Sequence, residues 1–370
     1  MAMDKPLLSI VVPTKNRYKY LKHLIEMLRD FHSNEFELVI NDNTEDNEEM
    51  IEFLSSIDFP YLKYNHVLKH LSVSQNADEV IRNSSGKYVC FIGDDDGVFP
   101  EIVDRVKEAE SKGAEAIISK VVKYNWPDYV DNSRYHISGV VLEELTFQKE
   151  GFIDVKSELK KVIDDGFGSL GHLPKVYQGI VSRQLLDLIY EKCGTYFPGP
   201  SPDMANAIAL AILTDKVYFF NRNLIITGQC ISVGGGEHLL KGVLKKITEV
   251  PHFSQADIEA WDPNLPDVWC SDTVWPTSGV KAMNMLNFNH NIPYAKIYAR
   301  FVYKHRDYFN LIRKFPYNRI KYHKYMTEFI LHNFFEGIFC RLTYYLSCGA
   351  MLRNNRLHRN IESVKDVVKL

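Results

Sequence analysis

Three consecutive carboxylates, Asp94 to Asp96, follow the apolar run YVCFI and precede Gly97. Adjacent carboxylates repel one another, so the triplet is tolerated only in open solvent or beside a cation. A hard divalent cation takes oxygen ligands and keeps coordination positions for substrate phosphates, which predicts a Mn²⁺ or Mg²⁺ site. The alternative is a solvated turn in which Asp and Gly serve turn geometry. A calcium EF-hand fits poorly, because the twelfth loop position from Asp94 is Arg105 where a Glu is needed.

The elements that would position these acids alternate along the first half of the chain. Apolar runs that predict strands occupy 7–12, 36–40, 61–65, 88–92 and 114–122. Amphipathic spacing that predicts helices occupies 17–31, 46–56, 73–84 and 99–112. This alternation indicates a mainly parallel sheet covered on both faces, in which ligands bind at the carboxyl ends of the strands. The polar segments PTKNR (13–17) and NDNT (41–44) follow the first two strands, so we expect them to converge with the acids on one edge.

Several classes of protein are disfavoured. No GxGxxG follows the first strand and no GxxxxGK[ST] occurs, which argues against a dinucleotide fold and a P-loop enzyme. The 44 basic and 47 acidic residues give a net charge of -3, which argues against a nucleic-acid partner. The six cysteines are scattered without metal-type spacing, and the first residues lack an apolar signal-type region, so a cytoplasmic location is expected.

Three blocks of sequence resemble the successive motifs of family 2 glycosyltransferases. They are LLSIVVPTKNRYKYLKHLIEML, FELVINDNTED and SVSQNADEVIRNSSGKYVCFIGDDDGVFPEIVD, in order and at the right spacing over residues 6–125. The resemblance implies the GT-A fold, an α/β fold with a mainly parallel sheet flanked by helices, here followed by a mostly helical C-terminal extension. It also implies a nucleotide-diphospho-sugar donor, a Mn²⁺ or Mg²⁺ ion held through a DxD motif, and inversion at the anomeric carbon in a single displacement.

The resemblance assigns residues of the donor site. Pro13 and Thr14 match the loop that lines the nucleoside. Asp42 matches the acid that contacts the base, usually uracil, so a UDP-linked sugar is favoured. Arg17 is a candidate for holding phosphate, with a solvated loop as its alternative. On local chemistry alone, Asp42 could instead be a turn residue before the helix near 46.

The resemblance also assigns the metal motif, with one departure. Aligning FIGDDDGVFP on the family pattern FLDxDDxxxP places Asp95 on the metal-binding Asp and Asp96 directly after it, so the resemblance assigns both Asp95 and Asp96 to the metal. Gly93 stands where the first Asp of the pattern is usual, so Asp94 is the candidate to supply the missing contact to ribose or metal.

The general base is predicted downstream, in FPGPSPDMANAIALAIL. Ser201, Pro202 and Asp203 have the residue types of a helix start, which explains them without a catalytic role. An inverting transferase nevertheless needs a base for the acceptor hydroxyl, and the family supplies an acid at a helix start in this region, so Asp203 is the candidate. His238, after the glycines at 234–236, resembles a histidine that completes the metal shell in several such enzymes; a surface histidine is the alternative.

The C-terminal part has its own character. Residues 301–370 contain 13 Lys and Arg against five Asp and Glu, interleaved with aromatic residues. Such a surface suits reversible attachment to an anionic membrane, and a helical cap or a contact in a homo-oligomer are the alternatives. We predict a catalytic domain at 1–240, with nucleotide-sugar binding in 1–125 and the acceptor side in 126–240, and a helical, basic and aromatic region at 241–370.

The predicted function is sugar transfer to a saccharide or lipid-linked acceptor, in bacterial surface polysaccharide synthesis, at the inner face of the plasma membrane. Two rivals remain. A sugar-phosphate nucleotidyltransferase would share the sheet and the metal, but its Gly-rich, Arg-containing loop is absent after the first strand. The other rival is a nucleotide-sugar-binding protein without catalysis.

Overall fold

The structure is a computed structural model that describes residues 5–69, 71–130, 138–143, 149–231, 244–250, 253, 255–346, 357–358 and 360–370. The strands are β1 Leu8–Thr14, β2 Phe36–Asp42, β3 Leu62–His66, β4 Tyr88–Phe91, β5 Gly97–Val98, β6 Ala116–Asn125, β7 Val140–Glu143, β8 Gly151–Phe152, β9 Ile180–Ser182, β10 Val217–Gln229 and β11 Leu357–His358. The helices are α1 Tyr18–Arg29, α2 Glu48–Ser55, α3 Val73–Arg82, α4 Ile102–Ser111, α5 Val155–Asp164, α6 Arg183–Cys193, α7 Pro202–Leu213, α8 Gln255–Glu259, α9 Ser271–Met285, α10 Tyr294–Lys304, α11 Phe309–Ile312, α12 Arg319–Leu346 and α13 Val364–Val367.

One sheet organises the molecule, in the order β11-β7-β6-β9-β4-β1-β2-β3. β1 pairs in parallel with both β2 and β4, and β2 pairs in parallel with β3. β9 is inserted antiparallel between β4 and β6, and the long strand β10 runs parallel to β6. The predicted α/β fold, with a mainly parallel sheet flanked by helices, is confirmed, and each strand and helix predicted in the first 125 residues is present.

Helices cover both faces of the sheet, which explains the nearly continuous apolar character of its central strands. β2 is buried along its whole length. Ile10 and Val12 of β1 face a core that contains α1 and α4. Val11, between them, faces a second core that contains α3 and α5 to α7. The alternation of side chains along β1 therefore supplies two cores at once.

The C-terminal region is mostly helical, as predicted, and it is fastened to the sheet. Arg300 of α10 donates to Asp272 of α9 at 2.8 Å and to the carbonyl oxygen of Asp165 at 2.7 Å. Farther on, β11 pairs with β7, and Val364 of α13 is fully buried in the core beside α1. A Cβ on Gly97 would lie 2.4 Å from Val364 Cγ2, so this close approach requires glycine. Residues 357–358 and 360–370 thus return to the N-terminal half of the chain.

Candidate functional site

The polar strand ends predicted to converge do meet at one edge of the sheet. Thr14 ends β1 and lies opposite Asp42, which ends β2. Thr14 Oγ1 donates a hydrogen bond of 2.7 Å to Asp94 Oδ2, just beyond β4. β1 lies between β2 and β4, so the connections leave it in opposite directions and a crevice forms at its carboxyl end.

Asp94, Asp95 and Asp96 are named here the aspartate triad. One cationic side chain, that of Arg17, pairs with two of these three carboxylates. Arg17 Nη2 lies 2.7 Å from Asp95 Oδ2, and Arg17 Nε lies 3.0 Å from Asp94 Oδ1. The thiol of Cys230 donates to Asp95 Oδ2 at 3.2 Å. The guanidinium therefore bridges the two carboxylates to which the sequence assigns metal and ribose contacts.

Asp96 has a different environment from its neighbours. Its carboxylate accepts hydrogen bonds from the backbone N–H of Gly93 at 2.9 Å and of Gly228 at 2.7 Å, and from Gln178 Nε2 at 3.1 Å. A Cβ on Gly228 would lie 1.8 Å from the carbonyl oxygen of Asp95, so only glycine lets β10 approach this closely. Both carboxylate oxygens of Asp96 thus meet protein donors that hold the loop in place.

The triad is almost completely buried, with exposed fractions of 3%, 6% and 0% from Asp94 to Asp96. Burial, together with the charge of Asp95, raises the pKa of both Asp94 and Asp96. Arg17 opposes this effect at Asp94. Three carboxylates matched by one guanidinium leave a formal excess of two negative charges, which suits a divalent cation.

Asp42 lies fully buried at the predicted strand end and is already engaged. The hydroxyl groups of Tyr18 and Tyr64 each donate to Asp42 Oδ2 at 2.5 Å, and the backbone N–H of Thr44 donates to Oδ1 at 2.9 Å. Burial and the hydrogen bond to Asp42 raise the pKa of Tyr18 to about 12. Two tyrosine hydroxyls therefore surround the carboxylate to which base recognition was assigned.

Asp203 lies in the first turn of α7, where the sequence predicted a helix start with Pro202 at its first position. Ser201 makes no side-chain cap, and its N–H donates instead to Ser278 Oγ at 2.8 Å. Burial raises the pKa of Asp203, and the charge of Lys175 acts in the opposite direction. Within the described part of the chain, its carboxylate accepts no hydrogen bond, so it is available to accept a proton.

Tyr177 lies near both the triad and Asp203, close enough for their charges to act on its hydroxyl group. The charge of Asp96, then burial, then the charge of Asp203 raise the pKa of this phenol well above its usual value. The ring packs against Phe91 of β4 at a centroid distance of 5.5 Å. A single tyrosine is therefore close to both acidic sites.

Backbone contacts fix these sites relative to each other. The N–H of Phe91 donates to the carbonyl of Val176 at 3.1 Å, and the N–H of Gln178 donates back to Phe91 at 2.8 Å. Asn206 of α7 accepts from the N–H of Val176 at 2.9 Å. The helix that carries Asp203 is thus tied through residues 176–178 to the strand that carries the triad.

His238 and the glycines at 234–236 lie outside the described residues. A different group of ligand-type atoms occurs in the C-terminal region, where those of Cys270, Asp272 and His305 lie within 4.8 Å of one another. Asp272 Oδ1 there already contacts Arg300 at 2.8 Å and Lys304 at 3.0 Å. Two cations thus balance that carboxylate, whereas the triad keeps an excess of negative charge.

Sequence reasoning missed most of the residues that support the acids. Tyr177, Gln178 and Cys230 contact or surround the triad but belong to segments far from it in sequence. The glycine-rich stretch at 164–179, which contains Tyr177 and Gln178, is the local sequence signal for this segment. Gln178 adopts a φ of 54°, an uncommon conformation for a residue other than glycine, and no sequence motif predicts this conformation.

Comparisons with known proteins agree with this fold. Residues 9–171 match the family described as glycosyl transferase family 2. The S. aureus TarS 1-349 structure in complex with UDP-GlcNAc aligns with a TM-score of 0.50 at 16% sequence identity, over 87% of this chain and 80% of that chain. A longer S. aureus TarS structure aligns with a TM-score of 0.43 at 15% identity, over 60% of this chain and only 36% of that chain. No curated protein matches the chain.

Proposed function

We propose that this chain, whose residues 9–171 match glycosyl transferase family 2, transfers a sugar from a nucleotide-diphospho-sugar to an acceptor hydroxyl with inversion. The observation that carries the proposal is the fixed relation between the aspartate triad and Asp203. A donor diphosphate at the triad and an acceptor hydroxyl at Asp203 would meet in the space beside Tyr177. The TarS structure that contains UDP-GlcNAc makes UDP-linked sugars the first donors to test.

The residues of the triad suit Mn²⁺ or Mg²⁺. They offer carboxylate oxygens, which hard divalent cations prefer, and their formal charge exceeds that of Arg17 by two. Asp95 and Asp94 would hold the ion. Asp96 was assigned the same role, and it would also support the loop through its backbone donors. A bound ion would offset the negative charge that develops on the departing nucleotide diphosphate.

The remaining roles follow from the positions of the side chains. Asp203 would accept the proton of the acceptor hydroxyl, and its raised pKa makes it a stronger base than an exposed aspartate. Arg17 would contact the diphosphate. Pro13 and Thr14 would line the nucleoside and Asp42 would read the base, either directly or through the hydroxyls of its two tyrosines. The assignment of His238 to the metal shell stays a prediction.

The central experiment measures release of nucleoside diphosphate from a panel of UDP- and GDP-sugars in the presence of Mn²⁺. We expect UDP release that Asp95→Asn and Asp203→Asn each reduce by at least about 100-fold, since general-base catalysis alone contributes about 10² to 10⁴. Asp215→Asn is the matched control, because that side chain is 75% exposed and pairs with Lys156. A nucleotidyltransferase would release no UDP and would instead form UTP from the same UDP-sugars when pyrophosphate is added. Equal turnover by all three variants would refute the mechanism.

We also propose that residues 301–360 attach reversibly to an anionic membrane, and helix α12 supports this. Such attachment would suit a lipid-linked acceptor in bacterial surface polysaccharide synthesis, at the inner face of the plasma membrane. Helix α12 exposes large apolar side chains, with Ile320 83%, Phe334 60% and Phe335 62% exposed. Basic residues such as Lys321 and Lys324 lie on the same helix. None of the described helices combines the length and the apolar character needed to cross a bilayer.

Co-sedimentation with vesicles tests the attachment. Each Lys or Arg near an anionic surface contributes about 1 kcal/mol, so we expect binding to anionic vesicles at low salt, loss of binding on adding salt, and little binding to neutral vesicles. Replacing the exposed Lys and Arg of α12 with Gln should abolish it. Undiminished binding of the folded variant would refute the proposal and favour a contact between subunits.

A further inference from the structure

A cavity of about 380 Å³ opens at the same edge of the sheet as the aspartate triad. It forms where β6 extends past β9: Ala116 and Ile117 pair with β9, and the residues that follow line the cavity instead. Residues 170–173 and 178–179 contribute the opposite wall. Gln178, which donates to Asp96, is part of that wall, so the cavity adjoins the triad.

The charged side chains that line this cavity are basic. Lys120, His172 and Lys175 contribute to the lining, and no Asp or Glu does. Within the described residues neither lysine forms an ion pair. The ammonium of Lys175 lies over the ring of Tyr177, 5.9 Å from its centroid, and its charge acts on Asp203. The cavity is therefore electropositive on the side that faces the proposed base.

In a second cavity, by contrast, lysine side chains are paired with carboxylates. It measures about 1190 Å³ and opens at the opposite edge of the sheet, where the central strands begin. Three of its lysines are paired with glutamates: Lys63 with Glu37, Lys87 with Glu110 and Lys216 with Glu115. Those three lysine charges are balanced by glutamates, whereas Lys120 and Lys175 have no carboxylate partner among the described residues.

We propose that the smaller cavity binds an acceptor that carries an oxyanion, a phosphate or a carboxylate, close to the hydroxyl that receives the sugar. The inference rests on the proposed transfer reaction, since it assigns the acceptor class of the same site. Lys120 and Lys175 hold the oxyanion by charge-assisted hydrogen bonds. The apolar side chains of Ile118, Leu170 and Phe219 offer contact area to the carbon skeleton. Because Lys175 is also the cation that acts on Asp203, an anion held there places a neighbouring hydroxyl beside the base.

Calorimetric titration of the full chain, with Mn²⁺ and UDP present, tests the assignment with glucose, glucose 6-phosphate and glucuronate as probes. We expect the two anionic probes to bind at least about tenfold more tightly than glucose, since hydrogen bonds to charged groups contribute about that much. The Lys120→Gln/Lys175→Gln variant should lose this preference, and Lys120→Arg/Lys175→Arg should retain most of it. Lys160→Gln is the control, because Lys160 is 66% exposed and pairs with Asp164 on the surface of α5. A stronger response to glucose 6-phosphate would identify phosphate, and one to glucuronate would identify carboxylate.

Three outcomes overturn the inference: equal binding of charged and neutral probes, no binding of any probe, and a preference that survives in the Gln variant. The proposed transfer reaction is judged separately, by UDP release from the donor in the parent and in Asp95→Asn. If Asp95→Asn abolishes UDP release but the anionic preference is absent, only the acceptor class is wrong. If Asp95→Asn leaves UDP release unchanged, the transfer reaction itself is wrong.

Discussion

Arg17 pairs with the carboxylates of the triad when no donor is bound, and in the proposed reaction it also contacts the donor diphosphate. Replacing Arg17 should therefore change both metal binding and donor binding. Without a donor its guanidinium bridges Asp94 and Asp95, whose side chains are only 4% and 9% exposed. An ion that takes an oxygen of Asp95 must therefore share that carboxylate with Arg17 or displace it. Arg17→Met keeps most of the apolar stem and removes the charge, and Arg17→Lys keeps the charge without the fork of donors.

The expected effect follows from the distances. Arg17 Nη2 lies 2.7 Å from Asp95 Oδ2, and an ion about 2.1 Å from the same oxygen would lie within about 4.8 Å of Nη2. At that separation a divalent ion and a guanidinium repel by about 1.7 kcal/mol even at the dielectric constant of water. Arg17→Met should therefore bind Mn²⁺ about 20-fold more tightly than the parent when no donor is present. With the donor its KM should rise by about tenfold, because a charged hydrogen bond to the diphosphate is lost.

Electron paramagnetic resonance of free Mn²⁺ measures the first effect, and initial rates of UDP release measure the second. Removing one partner of a buried ion pair costs about 3–5 kcal/mol of stability, so circular dichroism must first show that each variant is folded. Arg17→Lys should bind Mn²⁺ with nearly the affinity of the parent. A folded Arg17→Met protein that binds Mn²⁺ no more tightly than the parent would refute the competition between Arg17 and the ion.

Three further results are expected. First, kcat/KM should increase with pH as Asp203 loses its proton, and Lys175→Gln should shift this rise to higher pH because Lys175 lowers the pKa of Asp203; an unshifted profile would contradict that coupling. Second, burial raises the pKa of Asp94 above its unfolded value, so without a cation its ionisation destabilises the folded state as pH increases through that range. Mn²⁺ should therefore raise the melting temperature more at about pH 8 than at about pH 5.5, and equal shifts would be evidence against a metal at the triad. Third, Gly97→Ala should lower the free energy of unfolding by about 1–3 kcal/mol, since its Cβ would lie 2.4 Å from Val364 Cγ2. Adding Val364→Ala should restore part of that loss, whereas strictly additive losses in denaturant unfolding would exclude the clash.

Local patterns predicted the elements of the first 125 residues because each strand and helix there carries its own period and its own turn residues. The same patterns placed the triad at a strand end and Asp203 at a helix start. They could not reveal that Arg17 reaches Cys230 and Asp95, since Arg17 and Cys230 are 213 positions apart and no sequence period links them. The partners of Asp42 were hidden for the same reason, because Tyr64 lies on a neighbouring strand and reaches the carboxylate only once β2 and β3 pair.

The contact between Val364 and Gly97 has a consequence for the order of events during synthesis. Gly97 directly follows the triad, and Val364 belongs to a segment that the ribosome produces more than 260 residues later. The core beside α1 therefore stays incomplete, and the loop of acids lacks one of its neighbours, until translation has passed residue 364. Nascent chains of the first 240 residues would expose the apolar surface that α13 covers. Nearly the whole polypeptide must therefore be synthesised before this part of the core, and the packing behind the loop of acids, can be completed.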